Sequence, residues 1–527
     1  MDPFVVRDHD FLRNPSNVTK TGVTFKTRVS SLILILDSRG GLDYLEDRLS
    51  HSILQTYNQL RLLMPLMVSI SGIRGVIGES LTPEAVVRYA GAFGGYCGKR
   101  HSPDPSVILG RDGRSTGSFV VPLVQAALIA RGIHVREIGI CPTPTVQLAV
   151  ERGGADGGIA VTASHNPMQW NGLKFMASTG MFLDGDENRE LWNIAEHPGE
   201  YAGWESLGRY TREDVWLERH IDAVLDLDLM DVEAIRRRHF RIVLDCVNAA
   251  GGLIVPRLLE RLGCEVIPIN CDVSGVFAHT PEPIPENLTG LASRVWTEKA
   301  DLGIAVDPDV DRLVLITEKG EPYGEEYTIA SAVEFVLGRR DAQRSGPPSK
   351  VVVNLSTTRA VDDIARAHGA EVIRTPVGEI NVAKRMKETG AVIGGEGSGG
   401  VILPDVHLGR DAIVGIGLLL QLLSDSGTTL SGLKARLPSY QIAKGKMELG
   451  PVSPDEVLGR IRTLHERDGK INTDDGLKID FEDYWVHLRK SNTEPIVRII
   501  AEAHTMDRAR AVVAAFRSEI QTLAGQR

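Results

Sequence analysis

The sequence predicts a multidomain α/β protein, and three observations carry that reading. At 527 residues the chain is too long for one ordinary domain, and a usual size of about 150 residues per domain gives three or four units. From Met64 onward, short Val/Ile-rich runs alternate with Gly-rich punctuation and Ala/Leu-rich stretches, the order expected when strand and helix alternate. With 42% hydrophobic and 24% charged residues the chain has the material for several cores and is neither disordered nor fibrous.

Taken in order, the first sixty-odd residues lack clean periodicity, except that "YLEDRLSHSILQTYNQLRLLM" predicts one amphipathic helix. Met1 to Leu63 reads as an extension dispensable for chemistry, or as an over-called start, with Met64 and Met67 at the boundary. A first unit, 64–213, opens with "SVILGRDGRSTG" as strand and loop, "FVVPLVQAALIARG" as helix, and "GGIAVTASHNP" as a buried strand entering a turn. A second, 214–318, carries the strand "FRIVLDCVN", the helix "LIVPRLLERLG" and the paired apolar runs of "ADLGIAVDPDVDRLVLITEKG". A third, 319–437, carries "KVVVNLSTTRAVDDIARAHG" and "AVIGGEGSGGVILPD". The last, 438–527, alternates as β structure through "LKIDFEDYWVHLRKSNTEPIVRIIAEA" and closes with a helix over Arg508 to Leu523. The units read as repeats of one plan, although no repeat aligns at the residue level.

Net charge excludes some partners. The 59 basic and 69 acidic residues leave −10, which argues against a surface built to grip nucleic acid or anionic membrane but allows a local basic pocket for a phosphorylated ligand. The five cysteines are odd in number, scattered and without a C-x-x-C pair, as expected of a reducing compartment. The apolar run "SLILIL" is too short to span a bilayer and has no charged region before it to mark a secretory signal. The expected location is the cytoplasm.

Four loops carry candidate chemistry. In "TASHNP", Ser164 stands at a strand-to-loop transition where a hydroxyl can be held in the open, with Pro167 fixing the turn and His165 and Asn166 beside it. The same turn also forms when a serine does no more than bond to backbone. Lys174 follows as either a proton donor or a solvated charge. In "DPDVDRL", Asp307, Asp309 and Asp311 repel one another unless cations neutralise them, and hard carboxylate oxygens suit Mg²⁺. A calcium loop of the EF-hand type fits the acidic spacing but requires glycine where Arg312 stands and helices where the flanks are β-like. In "GGEGSGG", glycines let backbone approach a ligand, and Glu396 and Ser398 offer groups for sugar hydroxyls; many such loops are only turns. In "RKSNTEPIVR", Arg489, Ser491, Asn492, Thr493 and Arg498 are the materials of a phosphate clamp, or of an ordinary surface turn.

Together and in this order, the four loops resemble those of the α-D-phosphohexomutases, which include phosphoglucomutases, phosphomannomutases and phosphoglucosamine mutases; the likeness covers Met64 to the C-terminus. It implies three similar mixed α/β domains and a smaller C-terminal α+β domain around a central cleft. It implies a phosphoryl group carried on Ser164, and Mg²⁺ held by Asp307, Asp309, Asp311 and Ser164. It implies sugar contacts from Glu396 and Ser398, and a phosphate site at Arg489, Ser491, Asn492, Thr493 and Arg498. "SGIRG" fits the family's first motif and places Arg74 beside the phosphoserine, while Lys174 falls where the family has a proton-transfer lysine; His165, next to Ser164, is a second candidate for moving that proton. The chain departs from the family's G-E-x-S-G-H pattern: Gly397 and Gly400 fill the variable and histidine positions, and "HLGRDA" follows. That variant resembles the archaeal-type branch, so no histidine role is carried over.

The resemblance implies a mutase that interconverts hexose or hexosamine 6- and 1-phosphates through a 1,6-bisphosphate. Glucosamine phosphate is favoured over glucose or mannose phosphate on branch resemblance alone. A phosphatase would use the same serine but release phosphate to water, and a non-catalytic sugar-phosphate binder would not need the serine at all. No nucleic-acid or membrane partner is expected.

Overall fold

In a computed structural model of the chain, the structure describes residues 66–99, 103–341, 347–449, 452–490 and 496–525. The predicted N-terminal helix and the rest of Met1 to Leu63 lie outside the described residues, as do Ser491, Asn492 and Thr493.

Among the described residues there are four sheets. Three share one plan that no residue-level repeat revealed. In the first, Ser106–Arg111 lies between two parallel neighbours, His134–Ile140 and Gly157–Val161, and the latter turns back antiparallel as Trp170–Ala177. In the second, Arg241–Asp245 lies between Glu265–Ile269 and Leu302–Val306, and the latter turns back as Leu313–Thr317. In the third, Lys350–Asn354 lies between Glu371–Thr375 and Ile393–Glu396, which turns back as Gly400–Ile402. The Ser164 turn, the Asp loop and the glycine loop therefore occupy the same topological position, the hairpin after the third parallel strand. The first sheet is extended to seven strands by Met67–Ser69 and Gly72–Val76 at one edge and Tyr210–Arg212 at the other. The fourth sheet is antiparallel, ordered Gln441–Glu448, Ile496–Ala503, Tyr484–Lys490, Leu477–Asp480, Lys470–Asn472, and packs against the helix Met506–Gly525.

The strands that deliver the loops are covered on both faces. Every residue of Gly157–Val161, Leu302–Val306 and Leu313–Thr317 is buried, which is why they read as continuous apolar runs instead of alternating ones. The second and third units share one core, Ile221 to Leu437, which Leu148 of the first unit also joins, whereas the C-terminal unit has its own, from Ala443 to Ile520. Rigid, doubly covered strands ending in polar hairpins fix loop positions without asking the loops to fold by themselves. Among the described residues no helix is long and apolar enough to cross a membrane.

Candidate active site

The Ser164 turn is held from beneath by a buried ion pair. Arg114 is fully buried and sits 3.1 Å from Asp112. Its guanidinium donates to the carbonyl oxygens of Asn166 at 2.6 Å, Pro167 at 2.8 Å and Trp170 at 3.0 Å, and to that of Ser164. Asp112 also accepts the Thr162 hydroxyl at 2.7 Å, and Thr162 Oγ1 in turn accepts the Ser164 N–H at 2.8 Å. So constrained, Ser164 adopts φ of +49°, a left-handed conformation that a non-glycine residue holds only when its surroundings impose it. Its hydroxyl donates to Asp307 at 3.2 Å and lies 3.2 Å from His165 Nδ1. Burial pulls the His165 imidazole down to about 3. Arg74, on Gly72–Val76, reaches the same turn by donating to Asn166 Oδ1 at 3.3 Å.

The acidic loop meets the Ser164 hydroxyl through Asp307. Asp307, Asp309 and Asp311 are at most 1% exposed, and their nearest oxygens all fall within 4.8 Å of one another. Asp307 Oδ1 accepts the N–H groups of Asp311 and Arg312, both at 3.1 Å. Asp309 Oδ2 accepts from Thr143 and from Lys174, each at 2.7 Å; Asp311 Oδ2 accepts from Lys174 at 3.3 Å and Arg410 at 2.7 Å. Burial and the two neighbouring carboxylates raise Asp307. For Asp309 and Asp311 burial acts the same way but is outweighed, by Lys174 for Asp309 and by Arg410 with Lys174 for Asp311, so both are held low. Burial alone would lower Lys174, yet Asp309 and Asp311 raise it. Val310 sits at φ of +60°, a conformation that a β-branched residue avoids elsewhere.

These residues fit a divalent cation. Oδ1 of Asp309 and Oδ1 of Asp311 are buried without a hydrogen-bond partner, with Arg312 Nε 3.8 Å from the latter, an arrangement that is costly unless a further positive group faces them. The donors are all hard oxygens, as Mg²⁺ requires, with Ser164 Oγ adjacent.

Glu396 ends its strand with both carboxylate oxygens engaged. Oε1 accepts from Asn354 at 2.8 Å and from the Gly378 N–H at 2.9 Å; Oε2 accepts from Arg410 at 2.6 Å. In the C-terminal sheet, Lys446, Arg498 and Arg489 stand abreast on three adjacent strands, in the registers Lys446↔Arg498 and Arg489↔Arg498. Like charges directly opposite one another destabilise a sheet, and an anion placed between them would relieve that repulsion. Asp475 offsets part of this charge at 2.9 Å from Arg489.

The Ser164 turn, the glycine loop and the row of three cations open on one cavity of about 760 Å³. Ser164, His165, Arg74 and Lys174 line one part; Glu396 and Ser398 another; Lys446, Arg489 and Arg498 a third. Sequence reasoning missed Arg114, Thr143, Lys446 and Arg410. Only Lys446 had a local signal, since "AKGKME" sets Lys444 and Lys446 two apart on one face of a strand.

One lining group has a testable pH signature. The Glu326 carboxyl lies against Gly397, where an added Cβ would meet it at 2.0 Å, and accepts the Thr358 N–H at 2.8 Å. Burial pushes it up to about 8 from an ordinary 4.5. The unfolded chain releases this proton first, so the stability from this group is complete below about pH 4.5 and is lost as pH rises through about 8. Glu326→Gln should therefore gain on the parent in denaturant midpoint between about pH 5 and pH 8.5. A constant difference between the two across that range would refute the assignment.

Comparison with known proteins finds matches to all four units. Residues 67–202, 218–320 and 326–440 match the phosphoglucomutase/phosphomannomutase alpha/beta/alpha domains I, II and III, and residues 450–519 match the C-terminal domain of the same family. A probable phosphoglucosamine mutase of Methanopyrus kandleri is 38% identical over 442 residues, covering 84% of this chain and 94% of the relative. A phosphoglucomutase/phosphomannomutase of Thermococcus kodakarensis is 37% identical over 446 residues, covering 83% and 95%. Among solved structures, a phosphoglucomutase/phosphomannomutase family protein from Burkholderia thailandensis superposes with a TM-score of 0.75 at 27% identity, covering 87% of this chain and 99% of that one.

Proposed function

We propose, from the premise that this chain belongs to the phosphoglucomutase/phosphomannomutase family, that it is a phosphohexomutase interconverting hexose or hexosamine 6-phosphate and 1-phosphate. The observation that carries the reading is a single cavity with two chemically distinct ends. At one end a strained serine hydroxyl touches a carboxylate of an acidic triad; at the other a row of three cations stands ready for a phosphate that is not reacting.

In this mechanism Ser164 begins as a phosphoserine. The substrate's free hydroxyl attacks that phosphorus, the bond to Ser164 Oγ breaks, and a hexose 1,6-bisphosphate forms. The bisphosphate turns over in the cleft and returns its other phosphoryl group to Ser164, which leaves the isomeric monophosphate. Phosphoryl transfer depends on alignment and charge neutralisation more than on covalent help. Asp307, Asp309, Asp311 and Ser164 would hold Mg²⁺, which supplies part of that neutralisation when bound. Arg74 adds positive charge beside the turn, and Lys174 with His165 moves the proton of the sugar hydroxyl. Glu396 and Ser398 take the sugar hydroxyls, and Arg489, Ser491, Asn492, Thr493, Arg498 and Lys446 grip the distal phosphate.

Glucosamine phosphate is the favoured substrate, supported by the name of the Methanopyrus relative. Glucose or mannose phosphate is the second reading, supported by the name of the Thermococcus one. Coupled assays of glucosamine 6-phosphate, glucose 1-phosphate and mannose 1-phosphate on one preparation should give the highest kcat/KM with the amino sugar; a higher value with either hexose would transfer the assignment. Inorganic phosphate released at the turnover rate would instead mark a phosphatase. The enzyme acts on a soluble metabolite in the cytoplasm, and the segment before Met64 is dispensable for it. A chain starting at Met64 should keep full kcat/KM, and a folded truncation without activity would overturn that statement.

A further inference from the structure

Arg410, in "HLGRDA", is the most heavily used cation of the cleft, and the phosphohexomutase reading on which this inference rests gives it no task. Its side chain is 11% exposed and its three nitrogens are each spoken for. Nη2 lies 2.7 Å from Asp311, Nη1 2.6 Å from Glu396 and Nε 3.1 Å from Glu379. One guanidinium thus joins the acidic loop of the second unit to the sugar loop of the third. A planar fork with donors in several fixed directions can serve three carboxylates at once, whereas a lysine ammonium on a flexible stem cannot reproduce that geometry.

The surrounding chain is shaped to admit it. Gly400 lies at the position where the related pattern has histidine, and a Cβ there would come within 2.3 Å of Arg410 Cδ and 2.9 Å of Cγ. Its φ is not in the left-handed region, so backbone conformation does not require glycine; room for Arg410 does. From behind, Asp411 anchors the arginine's backbone. Asp411 Oδ1 caps the helix Ala412–Ser426 by accepting the Ile413 N–H at 2.8 Å. Its Oδ2 lies 2.7 Å from His220 Nε2 and 3.0 Å from His407 Nε2, both rings buried. Both imidazoles thus approach one oxygen at hydrogen-bond distance, a packing that fixes Asp411 and, next to it, Arg410. The Ala412 N–H reaches the Val310 carbonyl at 3.2 Å, which ties the same segment to the acidic loop.

We propose that Arg410 is a positioning residue for the transfer reaction, holding Glu396 in the orientation that receives the sugar and coupling it to Asp311, and that Gly400 is glycine because Arg410 occupies its side-chain space. Without the guanidinium, Glu396 Oε2, Glu379 and Asp311 would face one another across the cleft and move apart, so the sugar would lose its carboxylate acceptor while the serine turn stayed built.

Four variants test this: Arg410→Gln, Arg410→Lys, Gly400→Ala and the double Gly400→Ala/Arg410→Gln. Two readouts are needed, KM against kcat for the preferred hexose 6-phosphate, and Kd for glucose 1,6-bisphosphate by calorimetry. Arg410→Gln should raise both KM and Kd by about tenfold or more, the scale of a lost charge-assisted hydrogen bond. Arg410→Lys should not restore them. Gly400→Ala should reproduce the rise with the arginine still present, and the double variant should be no worse than Arg410→Gln within about twofold, because both changes remove one interaction. A purely structural defect would lower the binding stoichiometry and kcat and leave Kd where it was. Unchanged Kd in Arg410→Gln, a silent Gly400→Ala, or effects that multiply in the double variant would each overturn the proposal. If the parent enzyme binds the bisphosphate but turns over no hexose phosphate, the mutase reading fails while the Kd comparison still decides the role of Arg410.

Discussion

Ser164→Ala is expected to lower turnover by on the order of 10⁴-fold or more, the scale on which removal of a covalent nucleophile acts, while Kd for a hexose phosphate stays within about threefold of the parent. The argument is geometric. The hydroxyl is the only part of Ser164 that reaches Asp307 and His165, whereas the turn is held through backbone groups that alanine keeps, including the carbonyl bound by Arg114 and the N–H given to Thr162. Ser164→Gly sharpens the test. A residue with a Cβ at φ of +49° carries about 1 kcal/mol or more of strain that glycine does not. The glycine variant should therefore be as inactive as alanine but unfold at higher denaturant concentration. A binding protein of the same fold would lose nothing in either variant, so activity surviving in Ser164→Ala would end the covalent mechanism.

How much of this was legible in the sequence depended on distance along the chain. Strands such as Leu302–Val306 and Leu313–Thr317 were readable because burial on both faces writes a continuous apolar run around a polar hairpin. The C-terminal helix was readable from its period, predicted over Arg508 to Leu523 and found as Met506–Gly525. Ser164, the Asp loop and Glu396 could be proposed because each stands inside a short motif with chemistry of its own. Arg410 could not, although its motif was in view, since its partner Asp311 is 99 positions away and nothing local distinguishes an arginine aimed at a distant carboxylate from a solvated one. The common plan of the three sheets was also hidden. What the three units share is hydrogen-bonding order, and apolar residues exchange freely within doubly covered strands without disturbing it.

The same blindness applied to Arg114, for which the second large effect is expected. Arg114→Leu should cost about 3–5 kcal/mol of stability, because it strands Asp112 as a buried carboxylate with its cation gone. Asp112 is already raised by burial even with Arg114 beside it, so the loss would leave it protonated or poorly solvated. Four carbonyls, those of Ser164, Asn166, Pro167 and Trp170, would lose the guanidinium as donor in the same step. Arg114→Lys should recover only part of this, as one ammonium cannot span the turn as the guanidinium does. The double change Asp112→Leu/Arg114→Leu separates the two roles of the pair. Removing both charges eliminates the stranded carboxylate and should return much of the lost stability, measured as the urea midpoint. Activity should not return with it, since the carbonyls of the Ser164 turn still lack their donor and the hydroxyl is no longer aimed at Asp307. A double variant that regained turnover along with stability would show that the pair merely supports the fold, and that the strained geometry of Ser164 is imposed by something else.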